Sequence, residues 1–284
     1  MTRQPRSGRR TVMVASAVLA WLAMTALIGP TVLGRSATDS GDLTADKLSP
    51  PSAAHPFGTD ANARDVLARV VQGTRVSLGI AALSVSILCM VGIAWGGLAG
   101  LAPTGVDRWM MRLVDALLAT PRLLVVLVVV AFTGRLGALG LALLLGLTGW
   151  AQMSRVVRAR VRELRAADHV VAARALGTPR RAVFIRHILP GVAPAAMVMA
   201  IVATASVIPL EASLSYIGAG IAPPTASWGV LLRDATDRPL DSWWLLLFPS
   251  AAIAATVMCV NVLGEHFQRN DRSFLADDAT TTRR

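Results

Sequence analysis

The chain has 284 residues, of which 54% are hydrophobic and 16% are charged, and its mean hydropathy is +0.56. This composition excludes an ordinary soluble domain and predicts a membrane protein with several spans. The net charge of +11 does not indicate nucleic-acid binding, because the arginine-rich segment 155–190 has a single aromatic residue, Phe184. A nucleic-acid surface would interleave basic and stacking side chains.

Six apolar runs are long enough to cross a bilayer, which takes about 20 residues in a helix. They cover residues 12–29, 76–101, 113–133, 136–154, 192–214 and 243–264. None shows the strict alternation of a membrane barrel strand. The sequence therefore predicts an all-α, polytopic membrane helical bundle with about six transmembrane helices.

The distribution of basic residues predicts the orientation of these spans. With the amino terminus inside, 19 of the 28 Lys and Arg residues fall in cytoplasmic segments, as the positive-inside rule requires. Both termini are therefore predicted to be cytoplasmic. The predicted organisation is a first span with an extracytoplasmic loop (1–75), a core (76–264) that includes a cytoplasmic loop (155–190), and a cytoplasmic tail (265–284).

The loop 155–190 is predicted to form two short helices joined by a glycine. One face of the first helix carries His169, Ala172, Ala173 and Leu176. Gly177 is predicted to end this helix with a positive φ. Thr178 and Pro179 are then predicted to supply the N-cap and the first-turn proline of the second helix, which ends before Pro190. The alternative is an ordinary amphipathic loop helix.

The sequence predicts no cofactor, metal site or catalytic residue. The four histidines, His55, His169, His187 and His266, have no second His or Cys at metal-ligand spacing. The only lysine, Lys47, lies outside any phosphate-binding glycine loop, so ATP chemistry is not expected in this chain. Cys89 and Cys259 fall inside apolar runs and are predicted to pack as small hydrophobic side chains.

Several motifs occur together along the chain. They are His-Pro-Phe-Gly-Thr-Asp at 55–60 with Arg-Asp-Val-Leu at 64–67, Met-Arg at 111–112 with Asp115 and Pro121, the segments 169–177 and 186–190, Glu-Ala-Ser-Leu-Ser-Tyr-Ile-Gly at 211–218, Pro-Pro at 223–224 with Ser-Trp-Gly at 227–229, and Asn-Val-Leu-Gly at 261–264. With these motifs, residues 50–264 resemble the inner-membrane permease subunits of ATP-binding cassette importers. The resemblance is to the C-type subunit of the dipeptide, oligopeptide and nickel group.

The resemblance implies a type I importer permease in the cell (inner or plasma) membrane of a bacterium. Such a subunit forms the translocation path as a heterodimer with a homologous permease. Two ATPase subunits, which hydrolyse ATP, grip its coupling helices, and an extracytoplasmic binding protein delivers a dipeptide or oligopeptide. Nickel or another small solute is the alternative cargo. The coupling residues that the resemblance implies are His169, Val170, Val171, Ala172, Ala173, Arg174, Leu176, Gly177, His187, Leu189 and Pro190.

Three positions depart from the family pattern. Val171 replaces the glutamate of the family's Glu-Ala-Ala motif, so only the shape of the coupling helix can be carried over. Ala63 replaces a glycine before the Arg-Asp pair, and Arg122 follows Pro121 where a small or apolar residue is usual.

Two charged residues within the predicted spans are candidates for the substrate path. Arg122, about nine residues into its run and so near 14 Å deep, would face the path or pair across the subunit interface. Alternatively, Pro121 breaks the helix and the side chain reaches inward to the interface. Glu211 would contribute to gating; alternatively, it is an interfacial carboxylate, or it forms a hydrogen bond to the adjacent loop.

Two other classes of protein remain as alternatives. An integral-membrane enzyme would show clustered polar residues, and a secondary carrier would place paired charges or broken helices near the middle of the bilayer. Only Asp115, Arg122 and Glu211 are candidates for such charges. Arg112 and Asp115, three residues apart, are instead predicted to form a local ion pair.

Overall fold

The structure is a computed structural model that describes residues 6–32, 37–42, 46–236 and 242–281, with side chains described for 10–29, 31–32, 37–42, 46–236 and 242–268. The described residues form ten α-helices and one π-helical turn. The helices are α1 (Arg6–Val32), α2 (Val66–Leu101), α3 (Thr104–Ala119), α4 (Arg122–Thr133), α5 (Ala138–Arg165), α6 (Asp168–Ala175), α7 (Arg180–Val183), α8 (Leu189–Tyr216), α9 (Trp228–Asp234) and α10 (Trp243–Thr281), and the π-helical turn is Phe184–Ile188. No strand occurs in these ranges, so the all-α fold is confirmed.

Four helices are long and apolar enough to cross a membrane, and a fifth span results if α3 and α4 are taken together. The four are Arg10–Gly29, Val66–Leu101, Arg180–Tyr216, in which α7, the π-helical turn and α8 are continuous, and Trp243–Gln268. The predicted fourth run lies in α5, whose carboxyl half carries arginines. The membrane helices are thus confirmed, while the number six is reached only by adding α5.

The predicted continuous span 113–133 is wrong, because α3 and α4 meet at an angle of 81°. The break lies at Thr120 and Pro121. Thr120 has an extended backbone, with φ −92° and ψ 126°, as the residue before a proline prefers. Pro121 also lacks the N–H that a continuous helix would need. Arg122 therefore begins a helix instead of lying in the middle of one.

The first of two compact units consists of Met1–Leu83, Leu127–Leu143 and Thr204–Leu263. Its core is a cluster of buried side chains, Val66, Val70, Leu231, Ala235, Trp244 and Leu245. The loop before α2 joins this core: the indole Nε1 of Trp244 donates a hydrogen bond of 3.1 Å to the carbonyl of Thr59, and Phe57 stacks on Phe248 at 3.7 Å. The part of the predicted loop after residue 65 is helical, because α2 begins at Val66.

A buried charge network fixes that loop. Arg69, which is 1% exposed, donates through Nη1 to Asp60 at 2.5 Å and to Asp234 at 3.0 Å. Asp60 also accepts from the side chain and the backbone of Arg64. Ala63, in the same turn, is buried and has φ +56°. This left-handed backbone favours glycine, which gives a physical reason for the glycine that is usual at this position of the family.

The second unit consists of Ser84–Val126, Leu144–Ala203 and Gly264–Arg284. Its core comprises side chains that are no more than 1% exposed, including Val114, Val126, Leu145, Met153, Val157, Val161, Val170, Val183 and Ile188. The predicted coupling segment belongs to this unit together with the carboxyl half of α2, α3 and most of α5.

Candidate functional site

The segment α6–α7 forms a short knob with a glycine at its turn. At the carboxyl end of α6 the backbone N–H of Leu176 donates to the carbonyl of Ala172, and that of Gly177 to Arg174, both at 3.0 Å. Gly177 then adopts φ +80°, and the N–H of Thr178 donates to Ala173 at 3.2 Å. These bonds satisfy the last carbonyls of α6. The predicted glycine turn with a positive φ is confirmed.

The predicted start and end of the second helix are both wrong. Pro179, and not Thr178, is the N-cap residue of α7, and no side chain caps the helix there. The helix also does not end before Pro190, because α7 continues through the π-helical turn 184–188 into α8. Pro190 has no N–H to donate, and a wider turn before it accommodates that missing hydrogen bond.

The knob buries one side and leaves an apolar surface on the other. Val170 and Val183 are its buried residues, and Ile188 is buried in the π-helical turn that follows. Leu176 is 86% exposed and Val171 is 52% exposed. Among the other predicted coupling residues, His169, Ala172, Arg174, Gly177 and Pro190 are exposed, while Ala173, His187 and Leu189 are half-buried. Exposed leucine and valine side chains beside arginines suit a surface that another protein covers.

A charged clamp holds the base of the knob. Asp107 of α3 is 3% exposed, and Arg158 of α5 donates to both of its oxygens, with 2.6 Å between Nη2 and Oδ2. Arg162, one turn further along α5, donates to the same Oδ2 at 3.2 Å. A two-pronged arginine–carboxylate pair is strong and directional. It ties α3 to the part of α5 that leads directly into α6.

Two other arginines of α5 donate hydrogen bonds to backbone carbonyls. Arg165 Nη1 lies 3.3 Å from the carbonyl of Gly100 and 3.5 Å from that of Leu101, at the end of α2. Arg160 Nε donates to Gly191 of α8 at 3.2 Å. Gly100 and Leu101 end α2, where carbonyls lack partners inside the helix and a cation is favourable.

A stripe of glycines lets α2 and α5 approach closely. A methyl group on Gly92 would lie 2.5 Å from Met153 Cγ, and one on Gly100 would lie 2.6 Å from Val161 Cγ1. A methyl on Gly96 would come closer than 3.0 Å to the carbonyl oxygen of Ser154. Glycines four residues apart lie on one face of a helix, and such stripes mark close helix packing in membranes.

Arg122 interacts with the backbone of α5. Its Nη2 donates to the carbonyl of Leu145, and its Nε lies 3.3 Å from Thr148 Oγ1. Gly149 provides the space, because a methyl group there would lie 2.8 Å from Nη2. The broken helix agrees with the alternative that Pro121 interrupts the span, and a role for Arg122 in the substrate path stays a prediction.

Glu211 is fully buried in the first unit. Its Oε2 accepts a bond of 3.0 Å from Ser77 of α2, and its Oε1 accepts one of 2.8 Å from Ser215. These two hydroxyls in turn accept from the backbone N–H groups of Trp228 at 3.2 Å and Ile221 at 3.1 Å. Glu211 thus joins α2, α8 and the start of α9, and its proposed part in gating stays a prediction.

Sequence reasoning missed the clamp and the glycine stripe. The four-residue spacing of the glycines was a readable signal for the stripe. No sequence signal pairs Asp107 with arginines about fifty residues later. The predicted ion pair of Arg112 with Asp115 is wrong, since Asp115 binds Arg155.

The fold and this site define a multi-pass α-helical membrane protein with a structured, arginine-anchored loop. The model of the family described as binding-protein-dependent transport system inner membrane component matches residues 92–270. The chain belongs to this family, and the resemblance to peptide permeases found in the sequence is confirmed.

Three relatives show how far the similarity extends. The dipeptide transport system permease protein DppC of Bacillus subtilis (strain 168) is 36% identical over 253 residues, which are 88% of this chain and 78% of the relative. The oligopeptide transport system permease protein OppC of the same organism is 31% identical over 256 residues, 90% of this chain and 83% of the relative. A putative peptide permease protein of Brucella suis biovar 1 (strain 1330) is 36% identical over 219 residues, 76% of this chain and 72% of the relative.

Proposed function

We propose that this chain is a permease subunit of an ATP-driven, binding-protein-dependent importer of dipeptides or oligopeptides. It forms the path with a homologous permease, receives cargo from an extracytoplasmic binding protein, and couples to two ATPase subunits through the knob. The observation that carries the proposal is the exposed apolar face of the knob, at Leu176 and Val171, held on an arginine-anchored base. The similarity to dipeptide and oligopeptide permeases supports peptides as the cargo.

The clamp provides a physical route for coupling. A force on α6 reaches α5 directly through the chain, and the bonds from Arg158 and Arg162 to Asp107 pass it to α3. Because the clamp joins α3 to α5 and the chain joins α5 to α6, ATP-driven closure of the ATPases would move the ends of these helices together. This movement would switch the path between its two orientations. This chain itself needs no catalytic group or cofactor for that step.

The central experiment changes the exposed face without disturbing the buried one. Leu176→Glu places a charge in the proposed interface, whereas Leu176→Met keeps the apolar contact at the same position. We expect the glutamate variant to lose the ATPase subunits in a pull-down and to lose labelled dipeptide uptake, while the methionine variant keeps both. If Leu176→Glu retains the ATPases and full uptake, the coupling role of the knob is wrong.

A second pair of variants tests the shape of the same face. Ala172 is exposed, so Ala172→Trp adds bulk outside the fold, and Ala172→Ser is its small control. Ala173 is half-buried, and a tryptophan there would also disturb the packing of the knob. We expect Ala172→Trp to block ATPase binding while the permease pair still assembles.

The orientation is tested in intact cells after replacement of Cys89 and Cys259. Single cysteines at Ala53 and Ala175, both exposed, are probed with an impermeant thiol reagent. The proposed cytoplasmic loop requires labelling at position 53 and none at position 175. Labelling at position 175 from outside would overturn the orientation.

Parallel uptake assays with a labelled dipeptide and with nickel(II) separate the two cargo classes.

A further inference from the structure

An apolar groove runs along the carboxyl half of α2 beside the knob. It has a volume of about 570 Å³, and its walls include Met90, Ala94, Gly97, Leu98, Phe184 and Leu189. Met90 and Leu98 are 67% and 64% exposed. The ring of Phe184 closes one side against Gly97, where a side chain would come within 3.0 Å of Cζ. An open apolar groove on a membrane helix is a place for an acyl chain or for another helix.

The lining of the groove is apolar. Arg180 and Arg181, the first two residues of α7, line it through the apolar parts of their side chains, and both residues are exposed. Arg180 and Leu101 also line a neighbouring cavity of about 610 Å³, to which Arg162, Arg165 and Arg174 contribute. In the described part of the chain, no acidic side chain lines either cavity, and Arg174, Arg180 and Arg181 take part in no ion pair.

This juxtaposition matches the shape and charge of an anionic lipid. A guanidinium binds phosphate oxygens with two parallel hydrogen bonds. The cytoplasmic leaflet is negatively charged, and basic pockets between membrane helices on that side bind lipid head groups. A helix of a partner subunit that covered the apolar wall would have to supply an acidic side chain to match the two arginines.

We propose that an anionic phospholipid of the cytoplasmic leaflet binds here, with its phosphate on Arg180 and Arg181 and an acyl chain along the apolar wall of α2. The proposal rests on the cytoplasmic orientation in the proposed function. A lipid in this position connects α2 to the start of α7 and therefore contributes to holding the knob.

The experiment uses the full transporter complex, purified with its partner permease and ATPases in micelles containing equal phosphatidylglycerol and phosphatidylcholine. Retained lipids are counted by native mass spectrometry. The variant Arg180→Gln/Arg181→Gln removes the proposed phosphate ligands. Arg186→Gln is the matched control, because Arg186 is exposed in the same segment and lines neither cavity.

We expect the wild type and Arg186→Gln to retain phosphatidylglycerol in preference to phosphatidylcholine, and the double variant to retain about ten-fold less phosphatidylglycerol. A second pair tests the apolar part. Ala94→Phe fills the groove from an exposed position, and Ala82→Phe makes the same change on an exposed position of α2 outside it. Only Ala94→Phe is expected to lower lipid retention.

Equal retention of the two lipids, or the same phosphatidylglycerol content in the double variant as in Arg186→Gln, would overturn the proposal. After mild chemical oxidation of the assembled complex, a disulfide between Leu98→Cys and a cysteine introduced in a membrane helix of the partner permease would do the same, because it would show a helix in the groove. Assembly and dipeptide uptake of the wild type are measured in parallel. A complex that assembles and imports without retaining the lipid refutes this inference alone, whereas failure to bind ATPases refutes the proposed function.

Discussion

The close approach of α2 to α5 in the second unit leads to a prediction about Gly96. A methyl group there would come closer than 3.0 Å to the carbonyl oxygen of Ser154, 2.9 Å from Val157 Cβ and 3.1 Å from the backbone nitrogen of Arg158. All three neighbours belong to α5 and two are backbone atoms, so the helices must separate to admit the methyl. Gly96→Ala is therefore expected to destabilise the protein.

The magnitude follows from two opposing effects. Overpacking a close-packed contact costs about 1–3 kcal/mol, and replacing glycine by alanine within a helix returns about 0.5–1 kcal/mol. The net loss for Gly96→Ala is therefore about 0–2.5 kcal/mol in the free energy of unfolding. Gly79, in the same helix, has nothing within 4 Å of the corresponding methyl position. Gly79→Ala should therefore stabilise the protein by about 0.5–1 kcal/mol.

The assay is thermal unfolding of the purified complex in detergent, followed by size-exclusion chromatography of the heated samples. A change of 1 kcal/mol corresponds to about 2–4 °C in Tm for a chain of this size class. Gly96→Ala should lower the apparent Tm while Gly79→Ala raises it or leaves it unchanged. If the two alanine variants shift the Tm in the same direction by the same amount, the close contact between α2 and α5 is not what the glycine serves.

Three further predictions address the turn, the buried network and the helix break. Gly177→Val puts a β-branched side chain at φ +80°, at a cost of about 1–2 kcal/mol. We therefore expect ATP hydrolysis by the complex to stop responding to loaded binding protein. In the control variant Gly177→Asn, whose side chain tolerates this backbone, hydrolysis should still respond, and identical responses of the two variants would contradict the prediction. Arg69→Met leaves the buried carboxylate of Asp60 without its 2.5 Å partner. Breaking a buried ion pair costs about 3–5 kcal/mol, and we expect the lower end of this range, measured as a fall in Tm. An unchanged Tm would show that the network contributes no stability. Arg122→Leu should lower the Tm, because it removes the bond to the Leu145 carbonyl, with unchanged uptake per folded complex; reduced uptake at normal Tm would place Arg122 in the path instead.

Local features of the fold could be read from the sequence because they depend on neighbouring residues. The apolar runs predict helices through their length alone, and Gly177 predicts a left-handed turn because only glycine adopts that φ without strain. The family resemblance likewise rests on linear motifs. Pro121 also indicated the helix break, although the sequence alone left a continuous span possible.

The sequence by itself determined the membrane class, the family and the position of the knob, since hydropathy, charge distribution and linear motifs specify these. Only the tertiary structure decided which charges meet: Asp107 with Arg158, and Asp60 with Arg69, across separations that no local pattern encodes. It also decided the continuation of α7 through the π-helical turn into α8, which Gly177 and Pro190 in the sequence did not indicate. Contacts between residues far apart in the chain exist only once the helices have packed, and for that reason the clamp, the contacts of the glycines with α5 and the apolar groove became visible in the structure alone.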